Sequence, residues 1–357
     1  MPKKSFYINE SELDGYQEQV IRRRTDKSFL VKGCAGSGKS ILALWKVKQI
    51  QEENMGSFYF ILFTKTLKQY MKDGITDIGL RSDRVLHYDK WRWRWTMENG
   101  TWIKHENAPS ADYIIVDEAQ DFAAEDIDIF KSKANKALIM YGDSAQQIYK
   151  FRTPEPISME QIAAQTSFPS EQLVFNHRLP KKIARLAEQI TNSDDELELR
   201  CRNEGTELPK VLLYNNLILQ LDAIIEIIKN RQFEDVGIFF RNNTDVKYAE
   251  EYIAQKGIDV EAKYDIKGGA SKMTLNFSTD KPKLTTYHSS KGLQFEAVFI
   301  PNCTVSDEDY RSPLYVAITR SYQSLFIMHS GDLSPFFNDV SDNLYETSLI
   351  SKSSRRL

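Results

Sequence analysis

The sequence predicts an α/β fold in two domains, each a mainly parallel sheet flanked by helices. Three observations carry that expectation. Apolar strand-like runs alternate with helical patterns along the chain. The 357 residues suffice for two cores of ordinary size. A glycine-rich turn ending in Lys39-Ser40 lies between the first strand-like run and the first long helical pattern.

In the first half, strands are expected at 28–31, 58–63, 113–116 and 137–141, with helices at 41–51 and 126–134. The strands are short apolar runs of the kind a sheet covered on both faces requires. Pro154 and Pro156 then break any regular element, and Pro169 marks a second break. The domains are accordingly placed at 1–153 and 170–357, with a linker at 154–169. Beyond it come a strand at 172–175, a helix at 181–192, a strand at 211–214 and a helix at 217–229. A strand at 236–240, a helix at 244–256, strands at 283–286 and 297–300, a helix at 314–321 and a strand at 324–328 complete the pattern. The polar, glycine-bearing segment 267–280 reads as a loop, and 351–357 as a frayed basic tail.

Hydrophobic residues make up 41% of the chain and charged residues 27%, the balance of a soluble globular protein. No apolar run approaches the ~18–20 residues of a membrane span. The first residues lead into no signal-like core, so a cytoplasmic protein without a membrane partner is expected. Three cysteines, Cys34, Cys201 and Cys303, form neither a disulfide framework nor a zinc pattern. A net charge of −3 does not suggest a wholesale nucleic-acid binder, so any strand-binding surface must be a local groove. The densest candidate is Lys90-Trp91-Arg92-Trp93-Arg94-Trp95. Its stronger reading is a half-buried element with core tryptophans and solvated arginines; the other has the rings stacking on bases.

Gly33-Cys34-Ala35-Gly36-Ser37-Gly38-Lys39-Ser40 satisfies the G-x-x-x-x-G-K-[ST] pattern between a strand and a helix. Glycines let the backbone bend and turn its N–H groups toward phosphate oxygens, and the following helix N-terminus adds partial positive charge. Lys39 is then placed to neutralise the outer phosphates and the Ser40 hydroxyl to bind Mg²⁺. The strand 113–116 ends in Asp117 and Glu118, a metal carboxylate followed by a general base for the attacking water. Together the two segments predict a magnesium-nucleoside-triphosphate site.

Gly142-Asp143-Ser144-Ala145-Gln146 follows the next strand, as a γ-phosphate sensor should, and the segment runs on to Phe151-Arg152. With this third segment the order of motifs resembles the UvrD/Rep-like branch of superfamily 1 helicases, which implies two RecA-like domains and a nucleic-acid-stimulated ATPase. Leu13-Asp14-Gly15-Tyr16-Gln17 is similar to the family's opening motif, which makes Gln17 the adenine reader. Phe63-Thr64-Lys65-Thr66 and Val85-Leu86-His87 resemble strand-contacting segments, implicating Thr64 and His87. Gln146 takes the γ-phosphate-sensing position, Phe151 that of a base-stacking aromatic, and Arg152 stands beside it.

In the second half, Asn176-His177-Arg178 resembles the family's Asn-Tyr-Arg, with His177 in the adenine-stacking place and Arg178 as a γ-phosphate arginine. The segment 284–295 resembles the motif coupling nucleotide to bound strand; Gly292 and Gln294 fall at nucleotide positions, Thr286 and His288 at strand positions. Tyr315-Val316-Ala317-Ile318-Thr319-Arg320 resembles the last motif, with Arg320 as second arginine finger. Lys39, Glu118, Gln146, Arg178 and Arg320 are therefore the implied catalytic set, and Gly33, Ala35, Gly36, Ser37, Gly38 and Ser40 line the phosphates.

The chain departs from the large family members in lacking two long insertions, in His177 for tyrosine and in Gln294 for glutamate. The resemblance implies a compact ATP-driven translocase on single-stranded DNA, with RNA as the alternative polymer. The rival expectation is an ATP-gated switch read by a protein partner, such as a nuclease in a repair or defence complex, without unwinding of its own.

Overall fold

The computed structural model describes residues 12–149, 153–191 and 196–349. The chain divides into two compact units, Met1–Phe175 and Asn176–Leu357.

In the first unit the order is α1 (Gly15–Arg22), β1 (Phe29–Gly33), α2 (Lys39–Glu52), β2 (Phe58–Leu62), α3 (Lys65–Tyr70), α4 (Lys72–Asp77), β3 (Val85–His87) and α5 (Tyr88–Arg92). There follow β4 (Trp93–Glu98), β5 (Thr101–Glu106), β6 (Ala111–Val116), α6 (Ala124–Lys133), β7 (Ala134–Gly142), α7 (Met159–Thr166) and β8 (Ser170–Leu173). Six strands form one sheet in the order β3-β2-β6-β7-β1-β8, every pair parallel. One face packs on Leu42, Val47 and Ile50 of α2, the other on Ile127 and Phe130 of α6 and Ile162 of α7. Cover on both faces explains why Ile114, Ile115 and Val116 of β6 are all buried rather than alternating in and out.

Strand order decides where the chemistry meets. Val31 on β1 pairs with Tyr141 on β7, and Met140 on β7 pairs with Val116 on β6. The carboxyl ends of these three neighbours carry the phosphate loop, Asp117 and Asp143, segments up to about a hundred residues apart in sequence, side by side at the edge where parallel sheets bind ligands.

The expected linker at 154–169 is folded into this unit. Ser158 accepts from Gln161 N–H and the Gln161 side chain accepts from Ser158 N–H, a capping box that starts α7. β8 then pairs with β1 from Leu30↔Ser170 to Gly33↔Leu173. The division therefore falls after Phe175 rather than at the proline seam, because β8 completes the first sheet and does not open the second.

The second unit runs β9 (Asn176–Pro180), α8 (Lys181–Thr191), α9 (Leu197–Arg200), β10 (Cys201–Asn203), β11 (Lys210–Leu213), α10 (Leu217–Arg231), β12 (Val236–Phe240) and α11 (Asn243–Gln255). It closes with β13 (Glu261–Ala262), β14 (Tyr264–Asp265), β15 (Ser271–Lys272), β16 (Lys283–Thr286), β17 (Phe295–Ile300), α12 (Arg311–Ile318) and β18 (Ser321–His329). Its main sheet, β11-β18-β17-β12-β16-β13, is again parallel throughout. The expected loop 267–280 contains β15, which pairs antiparallel with β14, and α12 gives way to β18 by Ser321, earlier than read.

Candidate nucleotide and strand-contact residues

The phosphate loop is shaped by what its glycines exclude. A side chain at Gly33 would place Cβ 2.5 Å from Ser37 Oγ and 2.8 Å from Leu173 Cβ, and Gly36 and Gly38 hold φ of +74° and +88°. Gly38 is the N-cap of α2 and supplies no side-chain cap bond, so no cap side chain blocks the helix's first N–H groups. Ser37 is buried and its Oγ has no hydrogen-bond partner. Uncapped donors, an orphaned hydroxyl and a loop too tight for side chains fit a bound polyphosphate. Lys39 bends back over this loop, its Nζ donating to the carbonyls of Gly33 (2.8 Å) and Cys34 (2.9 Å) and lying 3.9 Å from Asp143 Oδ2.

Ser40 Oγ donates to Asp117 Oδ2 at 2.6 Å, so the two expected metal ligands already touch. Asp117 is fully buried and pushed up to about 7, first by burial and then by the adjacent Glu118 carboxylate, against the pull of Ser40 and Lys39. A hydroxyl, one carboxylate and phosphate oxygens are the sparse protein set that suits Mg²⁺, which keeps most of its shell as water and phosphate. Among the described residues there is no cluster of three or more His, Cys, Asp or Glu that would cage another metal.

Glu118 sits in the left-handed region at φ 56°, ψ 44°, a conformation that a residue with a side chain adopts at some expense. Gln120 holds it: Nε2 donates to Glu118 Oε2 at 2.5 Å, while Oε1 accepts from Asp143 N–H at 2.9 Å. Gln146 Nε2 donates to Asp143 Oδ2 at 2.6 Å. Burial raises the Asp143 carboxyl, while Lys39 and Gln146 work the other way. Glu118, Gln120, Asp143 and Gln146 thus form one buried chain linking the acidic pair to the sensor segment. Sequence reading missed Gln120 and gave Asp143 no role; an amide two residues beyond the acidic pair was the available signal.

Gln17 is buried, its Oε1 closing a capping box with Asp14 N–H and its Nε2 donating to Ser37 O at 3.1 Å. The opening motif therefore rests directly on the phosphate loop, within which Ala35 is buried.

In the second unit, Asn176 Oδ1 accepts from the N–H groups of Arg178 (2.9 Å) and Leu179 (2.8 Å), fixing the turn that presents half-buried Arg178 and leaves His177 exposed. Arg320 is buried; Nε donates to Val316 O at 2.8 Å and Nη2 to Thr319 Oγ1 at 3.0 Å, so the end of α12 holds the guanidinium. Gly292 turns the chain at φ +81°, two residues before half-buried Gln294.

Three of the expected strand-contact residues, Thr64, His87 and Thr286, also make local bonds that shape their own segments. Thr64 Oγ1 accepts from Leu67 N–H at the start of α3, and His87 Nδ1 accepts from Lys90 N–H at the start of α5. Burial and then Lys65 lower the His87 pKa, Asp89 opposes them, and Lys68 and Lys90 add to the lowering, so lysines outnumber carboxylates around the carboxyl ends of β2 and β3. Thr286 Oγ1 accepts from Ser289 N–H, and His288 stands edge-on to Tyr310 at 5.7 Å, with the Arg241 guanidinium 4.6 Å from the Tyr310 centroid. Arg241 and Tyr310 went unread in the sequence. Phe151 and Arg152 lie outside the described residues.

The run Lys90–Trp95 divides between its two readings. Trp91 is fully buried and donates to Pro109 O, whereas Trp95 is 55% exposed on the hairpin β4–β5. Trp93, Trp95, Met97, Trp102 and Lys104 share one face by the pairing register, with Lys104 Nζ 3.8 Å from the Trp93 centroid.

A tight glycine-rich loop before a helix, a strand-end acid pair and a buried polar chain at one edge of a parallel sheet are the arrangement of a nucleoside triphosphatase. The AAA domain family matches residues 17–152 and the UvrD-like helicase C-terminal domain matches 284–328. The two matches and the two parallel sheets together support an ATP-hydrolysing enzyme of the UvrD-like superfamily 1 helicase type, built as two RecA-like domains. Among solved structures it is similar to the C-terminal domain of a possible DNA helicase from Lactobacillus plantarum, at 19% identity, 48% of this chain, 98% of that one and TM-score 0.37. Arterivirus nonstructural protein 10, a helicase, is similar at 15% identity over 90% of this chain, with TM-score 0.45 alone and 0.42 in its complex with DNA. This chain spans 63% of the arterivirus protein's length. No curated protein matches the chain. No described helix is long and apolar enough to cross a membrane.

Proposed function

We propose that the chain is a compact Mg²⁺-ATP-driven translocase on single-stranded nucleic acid, DNA before RNA, acting in the cytoplasm. The observation that carries the ATPase reading is the Ser40–Asp117 hydrogen bond of 2.6 Å beneath a phosphate loop whose following helix has no cap side chain. Bound Mg²⁺ would supply charge neutralisation on the β- and γ-phosphates. Lys39 would exchange its two loop carbonyls for phosphate oxygens, and Ser40 and Asp117 would hold the metal. Glu118, steadied by Gln120, would take the proton of the attacking water, and Gln146 would report the γ-phosphate to the chain through Asp143. Gln17 reads adenine, with His177 stacking on it and Gly292 and Gln294 near the nucleotide. Arg178 and Arg320 are assigned to the charge that develops in the transition state, so turnover would require the second unit.

Support for a polymer comes from the basic surroundings of Thr64 and His87 and from the arterivirus helicase's complex with DNA. Thr286, His288, Phe151 and Arg152 complete the proposed track. Phosphate release measured without polymer and with single-stranded DNA, duplex DNA and RNA tests the reading. Stimulation by single-stranded DNA is expected. No response to any polymer would turn the assignment toward an ATP-gated switch serving a protein partner.

A further inference from the structure

Helix α1 is fastened at both ends, and the site described above accounts for only one of them. Its N-terminal half presents Gln17 to the phosphate loop through the 3.1 Å bond to Ser37 O. At its C-terminal end the ammonium of Lys46, on α2 and 0% exposed, donates to Ile21 O at 2.5 Å, to Arg23 O at 2.5 Å and to Gln49 Oε1 at 3.3 Å. An ammonium has three N–H donors, and all three are used. The last carbonyls of a helix have no partner within it and carry partial negative charge, so a cation there is matched to its surroundings. Burial still works against it and is the main influence drawing Lys46 down to about 8, with Glu53 opposing and Arg23 adding. Arg23 itself is paired with Glu171 on β8. Methionine would fill the volume without that desolvation.

Two features tie this buried cation to the nucleotide. Gln17 and Ile21 are four residues apart, one turn on the same face of α1. Lys46 belongs to the very helix whose first turn holds Lys39 and Ser40. A tilt of α1 about its C-terminal end would move Gln17 relative to the phosphate loop without moving the loop.

We propose that Lys46 is a positioning residue for base recognition: by anchoring the end of α1 to the phosphate-loop helix, it sets the place of Gln17 and hence the preference for adenine nucleotides. The proposal rests on the reading of Gln17 as adenine reader. Equilibrium binding of ATP, CTP and inorganic tripolyphosphate to the full chain tests it, in wild type, Lys46→Met, Gln17→Ala and the double variant, with thermal unfolding followed in parallel. Lys46→Met is expected to weaken ATP by about 10-fold, the scale of a lost charge-assisted hydrogen bond, and to leave CTP and tripolyphosphate within about 2-fold. In the Gln17→Ala background it should add nothing. Equal weakening of all three ligands, unchanged ATP binding, or full additivity with Gln17→Ala would overturn the proposal. If Gln17→Ala alone left the ATP-to-CTP ratio intact, the adenine reading would fall and Lys46 with it; an effect of Gln17→Ala without one of Lys46→Met would sink Lys46 alone. Should Lys46→Met fail to fold, the wild-type ATP-to-CTP ratio from pH 7 to 8.5 decides: a fall as the ammonium loses its proton supports the anchor, and a flat ratio overturns it.

Discussion

Gln120 is an amide set between two acids, and its two bonds point in opposite chemical directions. The NH₂ end steadies the Glu118 carboxylate and the oxygen end takes the Asp143 N–H, so one side chain fixes both the proposed base and the segment after β7. Gln120→Ala should lower kcat by about 10- to 100-fold, the range for a hydrogen bond to a charged group, with KM for ATP little changed; steady-state phosphate release reads both. Lys46 gives a second residue-scale prediction. With its pKa near 8 in the folded chain against an ordinary 10.5, the folded state binds fewer protons than the unfolded state between those values. Stability therefore rises with pH across that window, and denaturant titrations should show a rise in wild type that Lys46→Met lacks. That Lys39, Ser40, Asp117 and Gln146 would be brought together at one sheet edge was legible, because motif chemistry dictates residue type at fixed spacing. Gln120 and Lys46 were not, since glutamine beyond an acid pair and lysine in an amphipathic helix look like solvated residues until packing buries them.

At the scale of elements, the phosphate loop and the hairpin mark two extremes of constraint. The Gly33 site has no room: Gly33→Ala should abolish ATP binding, measured by equilibrium titration, because Cβ would meet Ser37 and Leu173 at under 3 Å. The hairpin β4–β5 is the opposite, with Trp95 at 55% and Trp102 at 60% exposure. Trp95→Ala and Trp102→Ala should each change unfolding free energy by no more than about 0.5 kcal/mol, as thermal melts would show. Its signal was present in the sequence: Trp93, Trp95 and Met97 alternate with Arg94, Thr96 and Glu98, and Asn99-Gly100 turns at φ of 52° and 79°. Parallel strands such as β6 and β12 were plain because cover on both faces makes them uniformly apolar, whereas α3 and α5 are too short for a helical period to declare itself.

For the whole molecule, two parallel α/β units follow from the alternation of strand and helix, but their division does not. Prolines announce a turn in the chain; they do not announce that β8 returns to pair with β1, a long-range contact invisible to local pattern. As proposed, the residues for metal and base, Asp117 and Glu118, belong to the first unit, and the arginines Arg178 and Arg320 to the second. Phosphate release with Mg²⁺-ATP and single-stranded DNA, compared among wild type, Glu118→Gln and Arg178→Ala at matched ATP occupancy, tests this proposal most directly. The account predicts that both variants still bind ATP and that each loses turnover by about 100-fold or more; wild-type turnover by either one would contradict it.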